Sequence, residues 1–249
     1  MEHESSKRRI RPLEAWRAIR ALLKDPDDTA QVFRIIDALS GNTGERLFQR
    51  FRRDPSGARI LAERRDLLAL LSDRGMLEAL PAGTLGRTYA DFVSREQLTA
   101  DGLVDASEAE RSRRNYGWER RLLQDRLRDS HDLMHVVTNY GRDLVGEAAL
   151  LSFSFAQTLN PGVGFIVAVA WFKAGRGKVR GLIVDGFRRG RRAAWLPAFD
   201  WEGALSRPLD DVRRELRIEV APSYEAVRSA GAPPIESNGV VGSAAAHST

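Results

Sequence analysis

Apolar residues recur at helical spacing through most of the chain. In the first such segment, Leu13, Trp16, Ile19, Leu22 and Leu23 return every three or four residues and therefore fall on one face of a helix. The same period reappears in TAQVFRIIDALS, in ERLFQRFRRD and in LGRTYADFV. No segment sustains the two-residue alternation of a half-buried strand. The pattern therefore predicts an all-α protein.

Turn-forming residues separate these segments. Gly41 to Gly44 form one such turn, Asp54-Pro55 closes a second segment, and Pro81 to Thr84 break a third. The apolar pattern starts near residue 11, after a polar N-terminal stretch, and fades after residue 220, where the remaining sequence is small and polar. We therefore predict a single helical domain over residues 11–220, built from about ten helices, between flexible tails at residues 1–10 and 221–249.

The longest apolar tract runs from Ala148 to Phe172. Gln157, Asn160, Pro161 and Gly162 interrupt it, so it falls short of the roughly 20 apolar residues that a membrane-spanning helix needs. The run VGFIVAVAW within it is compatible with a strand, but its length and flanks also fit a buried helix.

Composition narrows the chemistry. The chain contains no cysteine, which excludes disulfides, thiolate metal sites and cysteine nucleophiles, so any metal must be held by nitrogen and oxygen atoms. The net charge of +5 and the pI of about 9.9 suit an anionic partner such as lipid, a phosphorylated ligand or nucleic acid. No recognised nucleic-acid-reading motif is present, so we expect no nucleic acid partner. The N-terminus lacks the apolar segment of a secretory signal, so we expect a cytoplasmic protein.

The candidate chemistry lies just before the apolar tract. Two of the four histidines, His131 and His135, are four residues apart and would project from one face of a helix. Asp132 lies about 100° around that helix from His131, and Glu147 would lie about 18 Å beyond His135 if the helix continued straight. Gly141 removes this obstacle, since a left-handed residue there can end the helix and let a second one return Glu147 to the histidines.

Two histidines and two carboxylates suit a divalent metal ion. Zn²⁺ is the first expectation, and Fe²⁺, Mn²⁺ and Co²⁺ are compatible with the same donors. Asp132 could bind the metal, orient a histidine or act as a base. A simpler interpretation remains open, in which Ser130 caps the start of a helix and both histidines lie on its surface.

Two families of metal enzymes do not match. HDLMH lacks the glutamate that follows the first histidine in zinc metalloproteases. The HD-type phosphohydrolases need a further histidine upstream, and the only one before His131 is His3, within the predicted tail.

HDLMHVVTNYGRDLVGE fits the pattern H-D-x-x-H-x11-E, and on this motif the chain resembles the coenzyme Q (ubiquinone) biosynthesis protein four family. The resemblance extends from about Arg11 to Ser223 and includes DPDDTAQVFRIIDALSG, RFRRDPSGARILAERRDLLALL, LPAGTLGRTYADFV and WEGALSRPLDDVRRELRI. No motif position departs from the family pattern.

The resemblance implies a helical homodimer at the matrix or cytoplasmic face of a membrane that works with other ubiquinone-biosynthesis proteins. Because the N-terminus shows no targeting signal, we expect the cytoplasmic case, peripheral on the inner face of the membrane. It implies that His131, Asp132, His135 and Glu147 bind metal and carry catalysis. The implied reaction is an oxidative decarboxylation, which replaces the C1 carboxyl of a polyprenylated 4-hydroxybenzoate-derived ring with a hydroxyl. The alternative is a non-catalytic scaffold that binds prenyl lipids and organises the biosynthetic complex.

The apolar tract would then line a channel for the prenyl tail or dock on the bilayer, although ordinary core helices would show the same composition. Eight basic residues follow it directly and suit anionic lipid headgroups, or form an ordinary solvated helix face: Lys173, Arg176, Lys178, Arg180, Arg188, Arg189, Arg191 and Arg192.

Overall fold

The computed structural model describes residues 9–26, 28–96, 117–175 and 177–227. Within these ranges the chain forms thirteen α-helices and one 3₁₀ turn, at Leu196–Ala198, with no β-strand. The predicted all-α domain is confirmed. In chain order the helices are α1 Pro12–Leu22, α2 Thr29–Leu39, α3 Thr43–Arg53, α4 Pro55–Glu63, α5 Leu67–Ser72, α6 Arg74–Ala79, α7 Leu85–Arg95, α8 Trp118–Thr138, α9 Leu144–Thr158, α10 Pro161–Lys173, α11 Lys178–Arg192, α12 Trp201–Ala204 and α13 Leu209–Leu216.

The predicted boundaries have identifiable caps. The Asp54 carboxylate accepts hydrogen bonds from the amides of Ser56 and Gly57 at the start of α4, directly before Pro55. The side-chain oxygen of Asn160 does the same for the amides of Gly162 and Val163 in α10. These caps explain why the apolar tract is divided into two helices rather than continuing as one.

The main core lies where α9 packs against α11. Two glycines of α11 let the helices approach closely: a Cβ at Gly186 would lie 2.3 Å from the Ala149 carbonyl oxygen, and one at Gly190 would lie 2.4 Å from that of Phe153. Buried side chains of α7, α8 and the C-terminal helices complete this core, among them Leu85, Leu133, Trp201 and Val212. Packing in this core therefore fixes the positions of α8 and α9, the two helices that carry the candidate site.

A second hydrophobic cluster joins α1, α2 and α10 through Ile19, Ile35, Ala38 and Ile166. Helix α10 is apolar over its whole sequence up to Lys173, yet only Gly162, Val163 and Ile166 are buried in it. Its remaining surface, and the exposed Leu13 and Trp16 of α1, therefore present apolar side chains outward. None of the helices in the described ranges combines the length and the apolar character needed to cross a bilayer.

The basic residues after the apolar tract divide into two groups. Arg180 stacks 3.6 Å above the Trp171 ring, and Arg189 pairs with Asp185 and donates to the carbonyls of Glu219 and Val220, so both stabilise the fold. Arg176 lies outside the described residues. The others are exposed and remain available to an anionic partner: Lys173, Lys178, Arg188, Arg191 and Arg192.

The folded part extends past the predicted boundary at residue 220. The amide of Ala221 donates to the Thr138 carbonyl at the end of α8, and the hydroxyl of Tyr224 reaches Asp143 before α9. Residues 221–227, which the sequence assigns to the tail, are tied to the protein by polar contacts that leave no periodic apolar pattern. Residues 1–8 and 228–249 lie outside the described residues.

Candidate metal centre

Helix α8 is continuous for 21 residues, from Trp118 to Thr138. Ser130 therefore lies within the helix, which excludes the interpretation that it caps a helix start. One turn apart, the rings of His131 and His135 meet edge to face with centroids 4.9 Å apart. The predicted shared face of the two histidines is confirmed.

The elbow between α8 and α9 is built differently from the prediction. Asn139, with φ of 62°, takes the left-handed position that ends α8, whereas Gly141 does not have positive φ. The prediction for Gly141 was wrong because asparagine also tolerates this conformation. Gly141 instead provides space, since a Cβ there would lie 2.8 Å from an Asp143 carboxylate oxygen.

Asp143 starts the returning helix. Its Oδ1 accepts hydrogen bonds from the amides of Val145 and Gly146 at 3.0 and 3.2 Å, which caps α9. Glu147 follows in the first turn and points back toward α8. Its Oε1 lies 3.3 Å from His135 Nε2 and its Oε2 lies 3.8 Å from His131 Nε2. The tertiary structure thus brings Glu147 to both imidazoles.

His135 is held in one orientation. Its Nδ1 lies 2.9 Å from the Tyr140 carbonyl oxygen, which can only accept, so Nδ1 carries the hydrogen and Nε2 has a free lone pair when the ring is neutral. The ring also stacks on Phe92, with centroids 5.7 Å apart. Its Nε2 is buried and lacks a well-directed hydrogen bond despite the nearby Glu147 oxygen. A buried lone pair without a donor is costly unless something outside the protein binds it.

Asp132 completes the cluster beside His131. Its Oδ1 lies 3.5 Å from His131 Nδ1, and one ligand atom from each of His131, Asp132 and His135 falls within 4.8 Å of the others. All four predicted residues are therefore neighbours. Their roles as ligands and catalysts stay predictions.

Burial and charge set the protonation of the cluster. Burial alone would raise the pKa of Glu147, but the adjacent His135 and His131, with Arg142, outweigh it and lower this pKa to about 2. Burial would lower the pKa of His131, yet Asp132 and Glu147 raise it above its ordinary value. The pKa of Asp132 is lowered because His131 outweighs burial. Without metal, the cluster therefore stabilises the proton on the His131 imidazole and the negative charge on the Asp132 and Glu147 carboxylates.

The cluster fits a divalent first-row metal ion. Two ligands bound 2.0–2.1 Å from a tetrahedral ion are about 3.3 Å apart, which is the spacing of His135 Nε2 and Glu147 Oε1. The unpartnered Nε2 of His135 is the atom that such an ion would bind. The second nitrogen of that ring already has its carbonyl partner, as metal-binding histidines usually do.

Sequence reasoning missed three residues of the site. Arg142 lies at its rim, about one third exposed, with Nε 3.7 Å from Glu147 Oε1. Phe92 stacks on His135 from α7, and Tyr224 reaches the elbow from 83 residues away in the sequence. Of these three residues, only Arg142 could have been found from the sequence, because it lies within the motif. Phe92 and Tyr224 join the site through contacts between residues far apart in the chain.

The fold and the cluster together define a class: an all-α protein with two histidines and two carboxylates gathered at a helix–elbow–helix. The chain belongs to the coenzyme Q (ubiquinone) biosynthesis protein Coq4 family, whose model matches residues 11–222. The family predicted from the H-D-x-x-H-x11-E motif is confirmed. The description of this family names ubiquinone biosynthesis.

Individual relatives agree with the family. The chain is 33% identical over 179 residues to a mitochondrial ubiquinone biosynthesis protein of Neurospora crassa, a match that covers 70% of this chain and 49% of that protein. It is 30% identical over 206 residues to a mitochondrial ubiquinone biosynthesis protein of Danio rerio, covering 81% and 74%. The chain thus spans about half the length of the fungal relative.

A crystal structure shares the fold. It is that of a protein from Nostoc punctiforme assigned provisionally to ubiquinone biosynthesis, with a TM-score of 0.56 and 22% identity, over 84% of this chain and 98% of that one. At this identity the likeness supports the helical architecture alone.

The location predicted from the sequence, cytoplasmic at the inner face of a membrane, was wrong. The curated relatives are named as mitochondrial proteins. The prediction relied on an N-terminus that lacks the apolar segment of a secretory signal and whose two acidic residues and short length argue against a transit peptide.

Proposed function

We propose that the chain is a metal-dependent enzyme of ubiquinone biosynthesis that replaces the C1 carboxyl of a polyprenylated 4-hydroxybenzoate-derived ring with a hydroxyl. One observation carries this proposal: His135 Nε2 is buried, lacks a well-directed hydrogen bond and lies 3.3 Å from a Glu147 oxygen. A protein has little reason to bury a bare lone pair beside a carboxylate unless a cation binds both. Family membership supports the assignment to ubiquinone biosynthesis, and the four site residues support the dependence on a metal ion.

His131, Asp132, His135 and Glu147 would hold the metal, with zinc the first candidate. When bound, the ion supplies a Lewis acid that stabilises negative charge on oxygen. The Tyr140 carbonyl orients His135 with its Nε2 toward Glu147, and with an ion on Nε2 this ring would have no lone pair left to act as a base. Asp132 and His131 are more exposed and lie together, so Asp132 would be the ligand able to leave the ion and exchange a proton with the His131 ring.

Arg142 suits the substrate carboxylate. Its guanidinium lies at the rim beside Glu147 and is about one third exposed, so it can reach an incoming anion. A guanidinium binds a carboxylate through two parallel hydrogen bonds, which would orient the ring with its carboxyl toward the cluster.

The net reaction breaks the bond between ring and carboxyl, releases CO₂ and forms a new ring C–O bond. With O₂ as oxidant, one oxygen atom enters the hydroxyl and the other leaves as water, which requires two protons and two electrons from an external reductant. The chain's own contribution is to bind the carboxylate, orient the ring and exchange protons.

The outward apolar surface of α1 and α10 suits the rest of the substrate. Phe172 is 71% exposed and Trp16 is 56% exposed, and each lies on a helix with apolar neighbours. A polyprenyl tail, or a lipid surface that carries it, would cover these side chains. The exposed basic residues of α11 suit the anionic headgroups of such a surface.

The same surface favours the second candidate, a scaffold that binds prenyl lipids without catalysis. The two candidates differ in their need for metal. An enzyme requires the cluster for turnover, whereas a scaffold would bind prenyl lipid and other ubiquinone-biosynthesis proteins with the cluster removed.

The test compares metal content and turnover in the wild type, His135→Ala and Glu147→Gln. Arg121→Gln, on the exposed side of α8, is the control. We expect about one divalent ion per chain in the wild type and control, and loss of both metal and turnover in the two site variants, with helical circular dichroism retained. Turnover by a folded, metal-free His135→Ala protein would refute the enzyme. Prenyl-lipid binding without turnover in the metal-loaded wild type would favour the scaffold.

A further inference from the structure

Tyr224 makes two hydrogen bonds to the elbow that joins the two ligand-bearing helices. Its hydroxyl donates to Asp143 Oδ2 at 2.8 Å and accepts from the amide of Gly141 at 2.8 Å. Asp143 is the residue that caps α9, and Gly141 is the middle of the elbow. One hydroxyl thus links the cap of the second helix to the chain that leaves the first.

The main chain around Tyr224 adds contacts on both sides of the elbow. The amide of Ala221 donates to the carbonyl of Thr138, the last residue of α8. The amide of Val227 donates to Asp143 Oδ1 at 3.1 Å, and the Val227 carbonyl accepts from the amide of Leu144, the first residue of α9, at 2.7 Å. Residues 221–227 therefore bridge the end of one helix and the start of the next.

The Tyr224 hydroxyl is tightly packed against the elbow and the first turn of α9. A Cβ at Gly146 would lie 2.3 Å from the Tyr224 hydroxyl oxygen and 2.2 Å from the Gly141 carbonyl oxygen. Both oxygens of Asp143 are engaged, and its carbonyl accepts the amide of Glu147 at 2.8 Å. The direction of the first turn of α9, and with it the position of Glu147, is consequently fixed from residues 221–227.

We propose that residues 221–227 form a clamp on the elbow and that Tyr224 is a positioning residue that holds Glu147 against His131 and His135 for metal binding. This inference rests on the proposed metal centre. It assigns a role to a segment that extends past residue 222, where the family match ends. The hydrogen bonds of Tyr224 go to Asp143 and Gly141, so it acts on Glu147 through the cap of α9.

The test is Tyr224→Phe in the full chain, with Glu225→Gln, its exposed neighbour, as control. The phenyl ring keeps the packing and removes only the hydroxyl. We expect the affinity for Co²⁺, followed by its visible absorption bands, to fall about 10- to 100-fold, the usual effect of losing a group that orients a ligand. We expect Tm to fall by about 2–4 °C, as for one lost hydrogen bond in a chain of this size.

A second readout is independent of metal. In the metal-free protein, Tyr224→Phe should speed hydrogen exchange at the amides of Leu144 to Gly146, whereas Glu225→Gln should leave it unchanged. Unchanged Co²⁺ affinity and spectrum in Tyr224→Phe, with wild-type binding intact, would overturn the clamp alone. Failure of the wild type to bind any divalent ion would overturn the proposed metal centre and the clamp with it.

Discussion

Replacing Glu147 with glutamine should destabilise the metal-free protein in a pH-dependent way. The pKa of Glu147 is lowered from its ordinary 4.5 to about 2 by the neighbouring imidazoles and Arg142, against the effect of burial. At 1.36 kcal/mol per pH unit, this gap corresponds to about 3 kcal/mol of stability that the ionised carboxylate contributes to the folded state. Glutamine has the same shape but cannot ionise, so Glu147→Gln should lose this contribution.

The sign of the pH dependence follows from the direction of the shift. Because the folded-state pKa is depressed, the contribution is complete above pH 4.5 and is lost as the pH falls toward 2. The stability difference between wild type and Glu147→Gln should therefore be about 3 kcal/mol at pH 6 and about 1 kcal/mol at pH 3. The opposing change at His131, whose pKa is raised, affects stability only at higher pH, where that imidazole loses its proton.

Urea denaturation with a chelator present measures the effect, followed by circular dichroism at both pH values. Glu225→Gln, at an exposed glutamate outside the cluster, is the control and should match the wild type at both pH values. Equal stability of the wild type and Glu147→Gln at pH 6, or a difference that does not shrink toward pH 3, would refute the electrostatic account of the cluster.

Three further changes test other parts of the structure. Arg142→Gln should weaken binding of a prenylated 4-hydroxybenzoate at least about tenfold, because it removes the guanidinium that would bind the carboxylate. Binding of the corresponding phenol, which lacks the carboxylate, and the metal content should not change. Equal losses of affinity for both ligands would contradict the carboxylate contact. In thermal melts, Gly186→Ala should destabilise the protein by about 1–3 kcal/mol, because the new Cβ would collide with the Ala149 carbonyl oxygen. Gly181→Ala is the matched control on the same helix. It has open space around the new Cβ and should stabilise the protein by up to about 1 kcal/mol. Trp16→Glu should abolish co-sedimentation with anionic vesicles without changing Tm, and retained sedimentation would exclude α1 from a lipid-binding surface.

Much of the architecture was readable in the sequence because helices are local structures. Their period is visible in the apolar positions of α1 and α7, and their ends are visible at Asp54-Pro55 and Asn160-Pro161, where caps form between residues two or three apart. The pairing of His131 with His135 is local in the same sense, since one helical turn places both rings on one face. Composition likewise determined that any metal must be bound by nitrogen and oxygen.

The elbow was only partly readable. A bend between His135 and Glu147 followed from the length of a straight helix, but the residue that makes it did not. Asn139 and Gly141 can each take a left-handed conformation. Which of the two ends the helix depends on the atoms that pack around each residue in the folded protein. Gly141 is needed for space beside Asp143, and that requirement appears only once the chain is folded.

The sequence by itself therefore determined the helices, the donor atoms and the shared face of the two histidines. The tertiary structure decided how these donors act together: it turned Glu147 back to within 3.3 Å of His135, stacked Phe92 on that ring and brought Tyr224 across 83 residues to the elbow. The physical reason is the distance along the sequence over which each kind of interaction acts. Helical period and capping act over a few residues, whereas these contacts form only after burial of the core has fixed α7, α8, α9 and residues 221–227 relative to one another.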